Sequence, residues 1–334
     1  MGIKTGLNDA FVIDQTVCER LVQDDPACAD RIKPLLRGED LRPWYQENEG
    51  RWLILFPRGW TRDTFGVGLS EVDAWEKLRA RYPGIAQHLA PFADAARTRG
   101  DKGGYWWELR SCDYYDALDA PKILWPDIGK IPRFSYAEPG VYIANTSYFT
   151  PTPDLFLLGF LQSRVAWMLV SRICLHNKFR GGLWEYRLFT QFISRLPIPN
   201  ASPDEREAIG TLASAITDQS RARYDLHRKA QGRILSDLGA DDKRLNQKLT
   251  AWWTLDFPAF RAELGKVFRR DISVKERDDW DAWLADRRAE HERRTAEIVR
   301  LETELNARIY ALFGLTPDDI AIVEESTKYR YGEV

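Results

Sequence analysis

Leu196-Pro197-Ile198-Pro199 is the feature that most limits how this chain can fold. Each proline lacks an N–H donor and fixes its own φ, so neither a helix nor a central strand can run through the pair. Ser202-Pro203-Asp204-Glu205 follows at once. Ser202 can cap a helix, Pro203 suits the first helical position, and Glu205 completes an S-x-x-E capping box. The chain is therefore cut near residue 200 into two stretches with different hydrophobic periods.

The earlier stretch mixes both periods. Residues 1–34 read as a polar lead-in with a short helix. "RWLILFPRGW" reads as a strand closed by Pro57 and Gly59, and residues 71–100 revert to a helical pattern. From Tyr105 to Asn145, "GYWWELRS", "PKILWPDIGKIPRFSYA" and "GVYIANTSYFT" are short strand patterns cut by Pro-Asp, Ile-Gly and Pro-Gly, as in an irregular, mainly antiparallel sheet. "TPDLFLLGFLQSRVAWMLVSRIC" is apolar nearly all round, which predicts a buried helix. After Pro199 an amphipathic helix runs to about Gly239. A second spans Val274–Phe313, with Ile298, Leu301, Leu305, Ile309 and Leu312 in one stripe and Gly314 as its stop. A single stripe on a charged helix needs a partner, and the helix from residue 203 supplies one in antiparallel sense. The predicted fold is α+β: a lead-in over 1–34, a mainly antiparallel sheet with packed helices over 35–200, and a coiled-coil-like arm of long helices over 201–334.

Composition narrows the function classes. Thirteen tryptophans and an apolar fraction of 44% supply an ample core. Cys18, Cys28, Cys112 and Cys174 and the four histidines are too dispersed for a zinc site or a disulfide framework, so reduced structural thiols, no metal and a cytoplasmic protein are expected. The most apolar run, Leu155–Val170, is broken by Gln162 and Arg164 and is too short for a membrane span. A formal net charge of −2 conceals a basic middle: residues 97–195 carry 13 Lys and Arg against 9 Asp and Glu, while 201–334 carry 23 against 26. Nucleotide-binding, zinc-hydrolase and serine-hydrolase signatures are absent, and Asp127 and Lys130 in "WPDIGK" lack the further acidic residue of a nuclease cluster. The chain is expected to be a binding module without a catalytic centre.

The mixture of cations, glycines and aromatics in "LHNKFRGGLWEYRLFTQFISRLPIPN" admits two readings. One is a loop that meets nucleic acid, with Lys178, Arg180 and Arg187 reaching phosphates or base edges. The other is an edge loop whose Trp184, Tyr186 and Phe189 pack inward while its charges stay solvated.

Taken together, these pieces resemble the C-terminal target-recognition region of type IIG restriction-modification enzymes and related adenine-specific DNA methyltransferases, including those of phage defence. "GIKTGLNDAFVID" and "IKPLLRGEDLRPW" are similar to the opening of that region, and "YPGIAQHLAPFADAARTR" to its early helix. "WWELR" and "PKILWPDIGKIPRFSY" resemble its strand core. "ISRLPIP" resembles its exit, and "ELNARIYALFGLTPDDIAIVEES" its closing helix and tail. The Asn-Pro-Pro-Tyr type of catalytic motif found upstream in such enzymes does not occur in this chain.

The resemblance implies a specificity half that reads double-stranded DNA for a methyltransferase core, in cis or in trans. That core binds S-adenosylmethionine and flips out the target adenine. It makes Arg180, Lys178, Arg187 and Asn177, then Lys130 and Arg133, the candidate DNA contacts. An Arg bidentate to guanine or an Asn bidentate to adenine contributes roughly 1–3 kcal/mol of discrimination. Arg37 and Arg42 are candidates for phosphate, with pairing to Glu39 or Asp40 as the alternative. Trp106, Trp107, Trp125 and Trp184 are expected in the core. The competing function is an assembly subunit that acts through the long C-terminal helices.

Overall fold

The computed structural model describes residues 2–239 and 243–333. The chain forms two compact units: Met1–Pro199 with Asp318–Lys328, and Asn200–Pro317 with Tyr329–Val334.

The first unit is built on three small sheets. Strands β1 (Val12–Ile13), β2 (Ile32–Leu36), β3 (Trp52–Ile54) and β7 (Tyr142–Ile143) lie in the order β1-β3-β2-β7, and only the β2–β7 pairing within it is parallel. Strands β4 (Lys122–Pro126), β6 (Ser135–Ala137) and β8 (Ser147–Thr150) form the antiparallel sheet β6-β4-β8. Strands β5 (Ile128–Gly129), β9 (Leu175–Arg180) and β10 (Leu183–Arg187) form the third, β5-β10-β9. Helices α1 (Gln15–Asp24), α2 (Glu71–Arg81) and α3 (Pro83–Leu89) pack with the first sheet around Phe11, Leu21, Leu53, Phe56, Leu78 and Trp107.

Four sequence expectations need correction here. Residues 1–34 are no separate lead-in, since β1 and β2 are strands of the first sheet. "GYWWELRS" makes only an isolated bridge, Lys102 to Leu109, because the buried Glu108 carboxylate accepts from the backbone N–H groups of Gly59, Thr61 and Gly104 and curls the segment into a turn. The expected single buried helix is two, α4 (Leu155–Gln162) and α5 (Arg164–Ile173), bent by 66°. Between them Ser163 takes an extended conformation and caps α5 by accepting from the Ala166 N–H. Most of the pair's side chains are buried, and among the described residues no single helix is long and apolar enough to cross a membrane.

The second unit is helical. Helix α6 (Pro203–Arg233) begins with Ser202 accepting from the Glu205 N–H and ends in a π-helical turn over Ile234–Leu238. Helix α8 (Arg277–Leu312) runs antiparallel to it, with Arg308 against Glu205, Arg294 against Gln219 and His291 against His227. The stripe of Ile298, Leu301, Leu305 and Ile309 is buried. Helix α7 (Phe257–Phe268) and the ends of α6 and α8 enclose a second core around Trp252, Phe260, Leu264 and Trp280.

The fourth correction concerns the tail. Helix α9 (Pro317–Ser326) falls almost wholly in the first unit, where the buried Arg164 guanidinium pairs with Glu324 at 2.9 Å and donates to Thr327.

Candidate nucleic-acid interface

The opening of the third sheet is a hairpin. Strands β9 and β10 are joined by Gly181 and Gly182, with φ of 61° and 78°. Two consecutive positive φ values are what a tight two-residue hairpin turn needs, and glycine adopts them without strain. A Cβ on either glycine would meet nothing within 4 Å, so the turn stands free. At the root, the Trp125 indole donates to the Leu188 carbonyl at 2.8 Å and the Leu188 N–H donates to the Asp127 carbonyl. Gly129 on β5 comes so close to the Leu188 side chain and the Ile131 carbonyl that a Cβ there would crowd both.

The register sorts the side chains. Trp184 opposes Phe179 and Tyr186 opposes His176, which places an aromatic row on one face. Leu183 opposes Arg180 and Arg187 opposes Leu175 on the other. Between these pairs the register shifts, so that Asn177 and Lys178 together oppose Glu185. Asn177 donates to Glu185 at 3.1 Å, and Lys130 lies 3.8 Å from the same carboxylate while its ammonium donates to the Arg180 carbonyl.

The eight candidate residues thus separate. Lys130, Asn177, Lys178 and Arg180 gather on or beside the hairpin. The side chains of Lys178 and Arg180 are exposed and have no acidic partner among the described residues. Arg187 is held at the root by Asp127 at 2.5 Å. Asp127 and Lys130, the two groups of "WPDIGK", therefore go to separate partners. Arg133 lies elsewhere, beside Arg42, Tyr45 and Glu47. Burial first, and then the Arg42 charge, lower its pKa from the ordinary arginine value, and its Nε has no hydrogen-bond partner. Arg42 is taken by Glu47 at 2.5 Å and by backbone carbonyls. Arg37 pairs with Glu39 at 3.3 Å and lines a cavity of about 400 Å³ with Thr5, Asn8, Asn145 and Thr146. Of the cations Lys130, Arg133, Lys178 and Arg180, three gather at the hairpin and Arg133 does not.

Sequence reasoning missed two residues. Trp106, Trp107 and Trp125 are buried as expected, but Trp184 is 44% exposed and Phe179, across the hairpin from it, 59%. Alternation in a strand signals two faces but not which of them is covered; the signal available was the Gly-Gly turn between the two rings.

Cys18, Cys28 and Cys174 are buried, and burial pushes the Cys28 thiol up to about 12 and Cys174 to about 11. Among the described residues no group of three His, Cys, Asp or Glu side chains is placed to hold a metal ion.

Comparison with known proteins places the fold. A family model described as a domain of unknown function, DUF8810, matches residues 202–309, within the helical unit. No curated protein matches the sequence. Among solved structures, 98% of the chain superposes on 34% of the type IIL restriction-modification enzyme MmeI, determined in complex with DNA, at 12% identity and a TM-score of 0.50. The type IIG restriction endonuclease BpuSI aligns over 85% of this chain and 29% of its own, at 13% identity and a TM-score of 0.37. The chain spans about a third of the length of MmeI and shares the fold of that part.

Proposed function

We propose that this chain is the sequence-reading, duplex-DNA-binding module of a restriction-modification or phage-defence adenine methyltransferase and has no catalytic centre of its own. The observation that carries this reading is the β9–β10 hairpin: a free two-stranded ribbon bearing Lys178 and Arg180 without counter-charges, on a root fixed by buried hydrogen bonds. The major groove of B-DNA admits a two-stranded ribbon. Unpaired cations on its rim release counterions from phosphate, which supplies affinity, while the polar side chains between them meet base edges. A fold shared with part of an enzyme solved in complex with DNA supports the same reading.

S-adenosylmethionine belongs, on this reading, to a methyltransferase core outside these residues. The G-x-G run of the sequence, Gly66-Val67-Gly68, follows a short helix rather than a strand, and both glycines face open space; it is no cradle for such a cofactor. The role of the chain is to fix which bases lie before that core.

Binding of the purified chain to a randomised duplex pool at two salt concentrations, with sequencing of the retained fraction, tests the proposal. Enrichment of one short motif, weakened at the higher salt, is the expected result. Absence of retention at the lower salt, repeated with a methyltransferase core supplied in trans, would favour the assembly role of α6 and α8 instead.

A further inference from the structure

The aromatic face of the hairpin has no task in the reading above. A row of rings begins at Trp167 on α5 and runs outward. Tyr186 lies 5.7 Å from Trp167, His176 5.1 Å from Tyr186, Trp184 4.9 Å from His176, and Phe179 5.3 Å from Trp184. Exposure rises along it, from 5% at Trp167 and 8% at Tyr186 to 44% at Trp184 and 59% at Phe179. Trp167 and Tyr186 are buried in the unit, whereas His176, Trp184 and Phe179 are exposed on the hairpin that carries the free Gly181-Gly182 turn.

Folding does not require this. A single exposed apolar side chain is ordinary, but Phe179 and Trp184 are the aromatic members among the exposed large hydrophobics of the described residues, and they touch each other. As a directly opposed cross-strand pair the two rings add about 0.2–1 kcal/mol to the hairpin, but each still leaves a large apolar area exposed that water disfavours. The charge beside them narrows what covers them. Lys178 and Arg180 flank Phe179 in sequence without acidic partners, and Arg172 on α5 lies close enough to Tyr186 to act on its hydroxyl. A partner that offers flat faces to the rings and anions to the adjacent cations has the chemistry of a nucleic acid, with stacked bases and a phosphate backbone.

We propose that Phe179 and Trp184 form a wedge that enters a base step of the bound duplex and unstacks it, while Lys178 and Arg180 hold the flanking phosphates. Apolar side chains inserted in this way kink duplexes at the steps that unstack most easily, and so read sequence without a hydrogen bond. The inference rests on the proposed DNA-binding function and adds a mechanism to it.

The test uses the full chain and a labelled duplex of the sequence recovered from the randomised pool, or a mixed-sequence duplex of about 20 base pairs containing TA steps, which are easily kinked. Fluorescence anisotropy reports binding, and permanganate oxidation of thymines reports unstacking. The wild-type chain at saturation should make thymines at one step several-fold more reactive than in free duplex. Phe179→Ala combined with Trp184→Ala should abolish that reactivity and weaken binding roughly tenfold; Trp184→Phe should keep the reactivity. Lys178→Ala combined with Arg180→Ala should weaken binding but leave the reactivity at saturation. Circular dichroism and the melting temperature of each variant should match wild type, because the altered side chains are exposed. Saturated binding with no reactive thymine, or with reactivity that survives the double aromatic substitution, would overturn the wedge and leave the DNA-binding reading standing. No anisotropy change at low salt would overturn both. Self-association by sedimentation that disappears in the aromatic variant, without unstacking, would also overturn the wedge and make these rings a contact between copies.

Discussion

The β9–β10 hairpin and the α6–α8 helix pair are both dense in arginine and lysine, yet they use those charges in opposite ways. Along α8 and around Asp271 most of the cations are paired locally. Arg293 and Arg294 pair with Glu290, Arg300 with Glu297 and Glu304, and Arg308 with Glu205 and Glu304, while Arg261 and Arg277 share Asp271. On the hairpin the single carboxylate, Glu185, is occupied by Asn177 and approached by Lys130, and Lys178 and Arg180 are left over. A polyanion meeting Arg293, Arg294, Arg300 and Arg308 would have to displace intramolecular partners; at the hairpin it meets uncommitted charge. On the proposed DNA-binding reading, the pairing of cations, rather than their number, distinguishes the anion-binding face.

The largest effect that separates the two regions is on stability. Trp252 is fully buried at the centre of the helical unit's second core, so Trp252→Ala should cost about 3–5 kcal/mol in chemical denaturation. A loss below about 1 kcal/mol would mean that this cluster does not hold the helices together.

Acid should act on the same region. His227 and His291 share a hydrogen bond of 2.9 Å, and Trp253 stacks on His227. Burial first, then His291 and Arg223, lower the His227 pKa to about 3; burial first, then Arg223, lower that of His291 to about 4. A lowered histidine pKa favours the folded state fully above the unfolded value of about 6.5. That advantage shrinks as pH falls from there towards 3–4, because the unfolded chain takes up protons that the folded one refuses. Urea titrations should therefore lose several kcal/mol between pH 7 and pH 4, on the order of 3 for each histidine, and His227→Gln should flatten that slope. An unchanged slope in the variant would place the pH dependence elsewhere.

The sharpest contrast lies in DNA affinity. Lys178→Ala with Arg180→Ala should reduce the steepness of log K against log salt by about 1.8 and weaken binding roughly tenfold at moderate salt. Arg293→Ala with Arg300→Ala should change neither, and equal effects from the two pairs would break the comparison. A smaller change is expected at the turn. Gly181→Val forces a β-branched residue to a φ of 61°, at about 1–2 kcal/mol. It should fray the hairpin, as seen in Trp184 emission, and lower affinity while α6 and α8 stay intact.

Much of this architecture is legible in the sequence because its causes are local. Ser202 caps where the S-x-x-E pattern says it should, Gly314 ends α8 at a φ of 62°, and the stripe from Ile298 to Ile309 faces inward. The illegible parts have causes that are distant in sequence or hidden within a uniform run. Glu108 forms a turn out of a strand pattern by binding the N–H groups of Gly59 and Thr61, nearly fifty residues away. Arg164 draws the tail into the first unit through Glu324 and Thr327. Ser163 interrupts an apolar segment whose hydrophobicity does not change across the break. At the candidate site, residue type picked out Lys178 and Arg180 but could not separate them from Arg37, Arg42 and Arg187, which have carboxylate partners. Nor did it reveal that the outer rings of the hairpin lack a covering layer.

The most direct test of the central claim is hydrogen–deuterium exchange of the whole chain with and without a retained duplex. The account predicts slowed exchange centred on residues 175–187, strongest around the Gly181-Gly182 turn, and none along α6 and α8. Slowed exchange confined to those helices, with the hairpin unchanged, would contradict it.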